Sequence, residues 1–581
     1  MFNKYYQDEL SYLREMGQEF ARAHPQVAHM LAETGTDPDV ERLLEGFAFL
    51  TGRIRQRLDS ELPELTHALV GLLWPHYLRP IPALSIVQFT GKAALQETQV
   101  IPRGASMESA PVDGVPCRFR TTADVRLYPF VLEGAELRAP LAQPASLRLK
   151  FAAASQVNLA GLDLGPLRLF LHGEPTPVST LYLWLCRHVR AVTLRSGSQE
   201  ARLPDGAITA AGFDDGEALW PYPTDAPGGY RLLQEFFALP ERFHFVDVHD
   251  LRPLRDMEAA DRFELVIEFA SPPPDDLRFK PELLRLACVP VVNLMPLRST
   301  PIRIDHEKTE YRLRPDVANA AHYEIFSVDS VVGWEQGTVR ERGYRPFFSY
   351  EHSPPDEAKI GDYYQVRLRP ATGGAGTDTY IAFAADVIAG AMPPPETIAC
   401  ELTCTNRNLP EKLRPGDISV PTSESPAFAE FRNLTRVTPS VSPPLEDRLL
   451  WYLISHWSLN YQTLGKIEAL RGILSVYNMP ALVDRQAQRT HELRLAGLES
   501  VQVRPDEILR RGALYRGLDI ELEMREDHFA AEGEMFLFAS VLNRFFNLFA
   551  TCNAFTRLRV RGRQKGSVMT WEPILGQQPL L

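Results

Sequence analysis

The sequence predicts a multidomain α+β protein: an N-terminal helical region, β-rich sandwich- or barrel-like middle modules, and an α+β C-terminal domain. Three observations carry this expectation. Apolar residues recur with a helical period over residues 2–80, the period changes to two from about residue 84, and the helical period returns after Pro444. Proline-rich breaks at PPPDD (272–276), SPP (353–355), PPP (393–395) and SPP (442–444) mark long loops or boundaries. The expected modules are 1–80, 81–275, 276–443 and 444–581.

In the first helix, Phe2, Tyr5, Tyr6, Leu13, Met16 and Phe20 share one face, with Glu9 projecting into that stripe. A carboxylate there needs a cation or hydrogen-bond donors. His24-Pro25 ends the helix, because proline disfavours helix in the residue before it. Asp37-Pro38 opens a second helix, with Asp37 as N-cap and Pro38 at the first helical position. At about 100° per residue, Val40, Leu43, Leu44, Phe47, Leu50, Ile54 and Leu58 fall on one stripe of it. Phe49 falls on the other side, among Arg42, Arg53 and Gln56 and beside Gly46. A third helix, Pro63 to Leu73, runs into the stiff segment WPHYLRPIP.

The middle of the chain reads as short strands, SIVQF, RFRT, VRLYPF and SLRLKF, separated by Gly and Pro. RFELVIEFA (262–270) alternates cleanly, with Phe263, Leu265, Ile267 and Phe269 on one face and Glu264 and Glu268 on the other. Short helices such as LLQEFFAL (232–239) interrupt these strands. After Pro444, LLWYLISHWSLNYQTL and KIEALRGILSVYN predict a helix pair, followed by two strands, a Phe-rich helix and a last strand.

Composition narrows the function. The chain has 581 residues, 45% hydrophobic and 23% charged, so it is globular rather than disordered. The formal charge of −12 argues against a general nucleic-acid binder. Six cysteines in so long a chain make no disulfide scaffold. The opening MFNKYYQDEL lacks the layout of a signal peptide, and no apolar run of ~18 residues is present, so no membrane insertion and a cytoplasmic location are expected.

A search for chemistry finds no GxSxG, HExxH, GxxxxGK[ST] or GxGxxG motif, and no cofactor is expected. TGGAGTDT (372–379) reads as a hairpin loop, and Cys400 and Cys404 as small apolar residues on one face of a strand. His249-Asp250 reads as a turn after HFVDV. Two charged strips are better defined: Asp519, Glu521 and Glu523 alternate with apolar residues, as do Arg557, Arg559 and Arg561. Two strands sharing one core must point their charged faces the same way. The strips are therefore expected on adjacent strands, acids facing arginines, with the Phe-rich helix over Ile520, Leu522, Leu558 and Val560.

YYQDEL (5–10), EFARAHP (19–25), DPDVERLLEGFAFLTGRIRQRLDSELPE (37–64), CTNRNLP (404–410) and the block from Gly533 through VLNRFFNLFATCNAFT resemble the TssF (ImpG/VasA) family of type VI secretion baseplate subunits. The resemblance implies a structural role without catalysis. It implies a wedge of two copies with one TssG, carrying TssK, set around the spike hub with other baseplate components such as TssE and VgrG. The location implied is a cytoplasmic baseplate docked at the inner-membrane complex. In that setting Phe47 is expected to face the chain's own core, and Phe49, with Gly46 and Arg53, a second copy or TssG. The alternative is a β-rich carbohydrate- or peptidoglycan-active enzyme, which needs two carboxylates flanking a cleft.

Overall fold

The computed structural model describes residues 6–16 (except 8, 14 and 15), 38–59, 63–92, 95–140, 143–153, 157–222 (except 158), 228–257, 261–304, 308–335, 341–347, 363–371, 376–384, 396–445, 450, 453, 465–510 and 512–576. The chain divides into two compact units, residues 1–73 with 444–455, and residues 74–443 with 456–581.

In the first unit, helices span Pro38–Asp59 and Pro63–Leu73. Proline opens each, where its missing N–H costs nothing. Ala48 and Val70 are fully buried, as are Leu450 and Leu453 from the later stretch. Most of LLWYLISHWSLNYQTL, the expected N-cap Asp37, and Phe2, Tyr5 and Phe20 lie outside the described residues.

The second unit is built on β-sheets. A six-stranded antiparallel sheet runs Ile418–Pro421, Ser106–Ser109, Arg118–Thr121, Cys288–Val292, Leu84–Gly91, Ala429–Asn433. Its two outer strands meet: the Asn433 side-chain oxygen accepts from the backbone N–H of Gly416 and Ile418, both at 2.9 Å. The rolled sheet encloses Val87, Phe89, Met107, Phe119, Val291 and Phe431. Its closing strands come after the whole of a second sheet has been formed. That sheet contains Met295–Arg298, Glu396–Thr405, Glu324–Glu335, Glu341–Pro346, Tyr363–Pro370 and Thr377–Ala384. The six-stranded sheet thus takes strands from both sides of the expected boundary at 275/276. Phe263, Leu265, Ile267 and Phe269 are all buried in a further five-stranded sheet, as their alternation requires.

CTNRNLP (404–410) joins the two sheets. Asn406, fully buried, gives its backbone N–H to Asn293 Oδ1 at 2.7 Å and accepts from Asn293 Nδ2 at 2.8 Å. Arg407, held at φ +49°, sends Nε to the Tyr323 carbonyl at 2.8 Å. Buried Glu324 accepts from the backbone N–H and hydroxyl of Thr377, both at 2.8 Å. These hydrogen bonds replace water that burial removes.

A layer of helices, Pro175–Arg187, Gly228–Ala238, Ile467–Tyr477 and Glu532–Asn547, packs on this framework. The Phe-rich last helix is its centre. Phe538 lies 5.5 Å from Phe236, Phe545 lies 5.5 Å from Tyr230, and Phe536 lies 6.0 Å from Tyr182, in the tilted and edge-on geometries aromatic pairs prefer.

The two charged strips meet as their alternation predicts. Ala513–Met524 and Ala554–Gly562 are adjacent parallel strands, pairing Asp519 with Arg557, Glu521 with Arg559 and Glu523 with Arg561. The parallel sense, which alternation alone leaves open, follows from the intervening helix acting as a crossover. Ile520, Leu522, Leu558 and Val560 are buried on the other face, as is Phe545, with Phe549 edge-on to it at 5.5 Å. Asp519 accepts from Arg557 Nε at 3.1 Å and from Arg559 Nε at 3.0 Å, while Arg561 reaches Glu521 at 3.3 Å.

The ladder gives a graded expectation. Asp519→Asn removes the anion that holds two arginines, and should cost about 2 kcal/mol, less than a fully buried pair because Arg559 remains partly solvated. Glu521→Gln should cost under about 1 kcal/mol, since Arg561 is well exposed. Urea unfolding of the two variants checks the order; equal losses would mean the ladder is not centred on Asp519.

Candidate partner interface

The Pro38–Asp59 helix carries the residues singled out by the sequence, and its orientation differs from expectation. Leu43, Phe47, Leu50 and Ile54 are 74%, 55%, 60% and 58% exposed. The residues turned inward are Ala48 and Gly52, with Leu44 and Thr51 half-buried. The expectation that Phe47 faces the chain's own core is therefore corrected. The helix packs through a small-residue face, which allows close approach, and leaves its bulky stripe outside. Hydrophobic periodicity locates a stripe but does not say whose core it enters. The 4-3-4 spacing of Leu43, Phe47, Leu50 and Ile54 is the seam one helix presents to another in a coiled coil. Side chains of Val40 and Leu58 lie outside the described residues.

Phe49, 47% exposed, lies about 160° around the helix from Phe47 at 100° per residue. Gly46 and Arg53, both exposed, sit on the same side as Phe49. A Cβ built on Gly46 would meet no atom within 4 Å, so another backbone has room to approach there. Thr51 Oγ1 donates to the Phe47 carbonyl at 2.7 Å, a bond made within the helix.

Groups with potential chemistry are occupied structurally. Cys400 and Cys404 lie buried in one strand, and burial pushes their thiols up to about 11 and about 12, away from the reactive thiolate. His249 Nε2 contacts Thr209 Oγ1 at 2.7 Å, and Asp250 adopts φ +60° in the turn that follows Phe245–Val248. Gly376 follows the Tyr363–Pro370 strand and precedes Thr377–Ala384 in the hairpin expected from TGGAGTDT. A cavity of about 690 Å³ is lined by Asp124, Glu133, Asp247 and Glu282 among others. Asp247 is held by Arg168 at 2.7 Å, Glu133 by Arg262 at 3.1 Å, and Asp124 accepts the Arg103 backbone N–H at 2.7 Å. Among the described residues no group of three or more His, Cys, Asp or Glu could hold a metal ion. No described helix is long and apolar enough to cross a membrane.

The family model described as "Type VI secretion system, TssF" matches residues 1–578. The chain is 32% identical to type VI secretion system component TssF1 of Pseudomonas aeruginosa, over 637 aligned positions covering 100% of this chain and 99% of that one. Among solved structures it resembles a chain of the TssK-TssF-TssG baseplate subcomplex determined by cryo-electron microscopy, with TM-score 0.78 and 32% identity over 93% of this chain and 100% of the other. It also resembles a chain of the type VI secretion baseplate complex, with TM-score 0.68 and 30% identity over the full length of both. With a match of this extent to sequence and fold alike, the chain belongs to the TssF family of type VI secretion system proteins.

Proposed function

We propose that this chain is a structural, non-catalytic wedge subunit of a type VI secretion baseplate, held with a second copy of itself to a TssG-type subunit and through that wedge to TssK-type subunits. The baseplate would stand in the cytoplasm at the inner-membrane complex, around a spike hub with TssE- and VgrG-type components. The single observation that carries the reading is the outward stripe of Leu43, Phe47, Leu50 and Ile54. An apolar seam of that length turned to water favours association, and its spacing fits a helical partner. The opposite side of the helix, with Phe49, Gly46 and Arg53, offers a second contact, so that one helix can be held between two neighbours. Co-expression with TssG- and TssK-type partners, read by size-exclusion chromatography with light scattering, should give a stable complex with two copies of this chain per TssG-type subunit. Separate monomers at micromolar concentration would refute the proposal.

Substitution separates the two faces from the fold. Phe47→Ser and Leu50→Ser should leave the lone chain within about 1 kcal/mol of its parent stability, because neither side chain is buried in it. Each should weaken the complex by about tenfold or more, the worth of about 1.5–3 kcal/mol for a newly buried large apolar side chain. Phe49→Ser should likewise leave the lone chain folded and weaken assembly. A loss above about 3 kcal/mol in the lone chain would place these side chains in its own core.

A further inference from the structure

Three arginines from separate segments gather around one short stretch of backbone. Arg79 follows the Pro75–Leu78 turn and donates Nη1 to the Pro221 carbonyl at 3.2 Å, with its guanidinium 5.4 Å from the centre of the Phe326 ring. Arg103 donates Nη1 and Nη2 to the carbonyls of Gly216 and Ala218, at 2.9 and 3.1 Å. Arg120 is set beside Arg103 by the rolled sheet: Gly104 gives its N–H to the Thr121 carbonyl at 2.9 Å, and Ser106 pairs with Arg120. Phe119 points into the core of that sheet, so alternation turns Arg120 to its outer surface.

The nearby acids are engaged elsewhere. Glu217 contacts Arg168 at 2.6 Å, Asp215 contacts Arg231 at 3.2 Å, and Asp124 accepts the backbone N–H of Arg103 at 2.7 Å. Asp329 faces both Arg79 and Arg120 from beyond ion-pair distance, and accepts from the hydroxyls of Ser327 and Thr403 at 2.6 and 2.7 Å. Among the described residues the Arg120 side chain has no hydrogen-bond or ion-pair partner. Arg79 and Arg120 are half-buried, and burial lowers both below the ordinary arginine value, with Arg103 adding to the effect at Arg120. Two partly desolvated cations beside a third, with no carboxylate in contact, are unfavourable for the chain alone.

We propose that Arg79, Arg103 and Arg120 form a binding site for a phosphate-class oxyanion. A guanidinium presents up to five donors in a planar fork that matches phosphate. Arg120 keeps its whole fork free, and Arg79 directs only Nη1 to protein. A tetrahedral dianion has enough oxygens to accept from two forks at once, and enough charge to answer two half-buried cations; a halide or an acetate has neither. Bound there, it would join the Arg79 segment, the rolled sheet and residues 216–221, and stabilise the chain by mass action. The site lies wholly in the second compact unit and does not depend on the assembly reading.

The test uses the full-length chain at low ionic strength, where screening is weak. Sodium phosphate is titrated in by calorimetry and in thermal scans, with sodium acetate and sodium chloride at equal ionic strength as controls. Phosphate should bind saturably at one site and raise the melting temperature, and neither control should reproduce this. Arg120→Gln should weaken phosphate binding by about tenfold or more, the worth of hydrogen bonds between charged partners. Arg120→Lys, which keeps the charge and loses the fork, should fall between. Arg504→Gln, in the C-terminal sheet, should bind as its parent does. Arg120→Gln should also melt no lower than its parent without phosphate, and below it when phosphate is saturating. A second arm replaces free phosphate with phosphatidylcholine vesicles containing phosphatidic acid. Binding to these alone, lost in Arg120→Gln, assigns the site to a lipid headgroup; binding of free phosphate assigns it to a soluble ligand. If neither source binds, if acetate or chloride acts as phosphate does, or if Arg120→Gln binds like its parent, the proposal is wrong.

Discussion

Glu235→Gln is expected to cost about 3–5 kcal/mol of stability, the penalty for leaving a buried cation without its anion. The Gly228–Ala238 helix has Leu232, Leu233, Phe236 and Phe237 buried, and Arg231, Gln234 and Glu235 buried as well. A helix enclosed on all sides must pair its own charges. Glu235 contacts Arg242 and lies 3.6 Å from Arg231, and its other oxygen accepts the Leu219 backbone N–H at 2.9 Å. Arg242 in turn donates to the carbonyl oxygens of Gly212 and Glu217, at 2.5 and 3.0 Å. Burial draws the Arg242 guanidinium down to about 9, still charged at neutral pH. The midpoint of the main urea transition measures the effect, with Asp215→Asn as control. Asp215 also faces Arg231 but is almost fully exposed, so its loss should be under about 1 kcal/mol. Equal midpoints for Glu235→Gln and the parent would show that the arginines do not depend on this carboxylate.

Gly533→Ala should cost about 3 kcal/mol or more, an overpacking penalty at the upper end because the obstacle is backbone. A Cβ on Gly533 would lie 1.9 Å from the Ser179 carbonyl oxygen, so the Glu532–Asn547 and Pro175–Arg187 helices would have to part. Parting them separates Phe536 from Tyr182 and loosens the aromatic layer. Gly46→Ala provides the contrast: it lies in a helix with open space around it, so the lone chain should gain roughly 0.5–1 kcal/mol. Thermal scans of both variants suffice; a Gly533→Ala protein that melts with its parent would mean the two helices have slack.

These two sites also mark what sequence reasoning reaches. The charged ladder was legible because strand alternation is strict: two strips with matching acid and arginine spacing, each backed by apolar residues, have one low-energy arrangement. The burial of RFELVIEF and the inert role of Cys400 and Cys404 follow from the same rule. The Glu235 network was not legible, since Arg231 and Arg242 come together only through the fold, and a short amphipathic-looking LLQEFF gives no sign of being enclosed. Asn293 and Asn406 are likewise ordinary polar residues until a sheet junction buries them. Gly46, Phe49 and Arg53 do lie on an exposed side, but the stripe of Phe47 was assigned inward because apolar residues in one chain look the same whether their partner is that chain or another.

The rolled six-stranded sheet has a consequence for how the protein is made. Leu84–Gly91 pairs on one side with Cys288–Val292 and on the other with Ala429–Asn433. During synthesis its second neighbour leaves the ribosome about 340 residues after it does, roughly 17 to 70 s at 5–20 residues per second. Through that interval the strand carries an unpaired edge backed by Val87 and Phe89, the kind of surface that recruits strands from other chains. Nascent copies on neighbouring ribosomes would be exposed to one another at this edge. Yield of soluble protein should therefore depend on expression rate and chaperone supply, and a chain truncated before Ala429 should aggregate even though most of its sheets are complete.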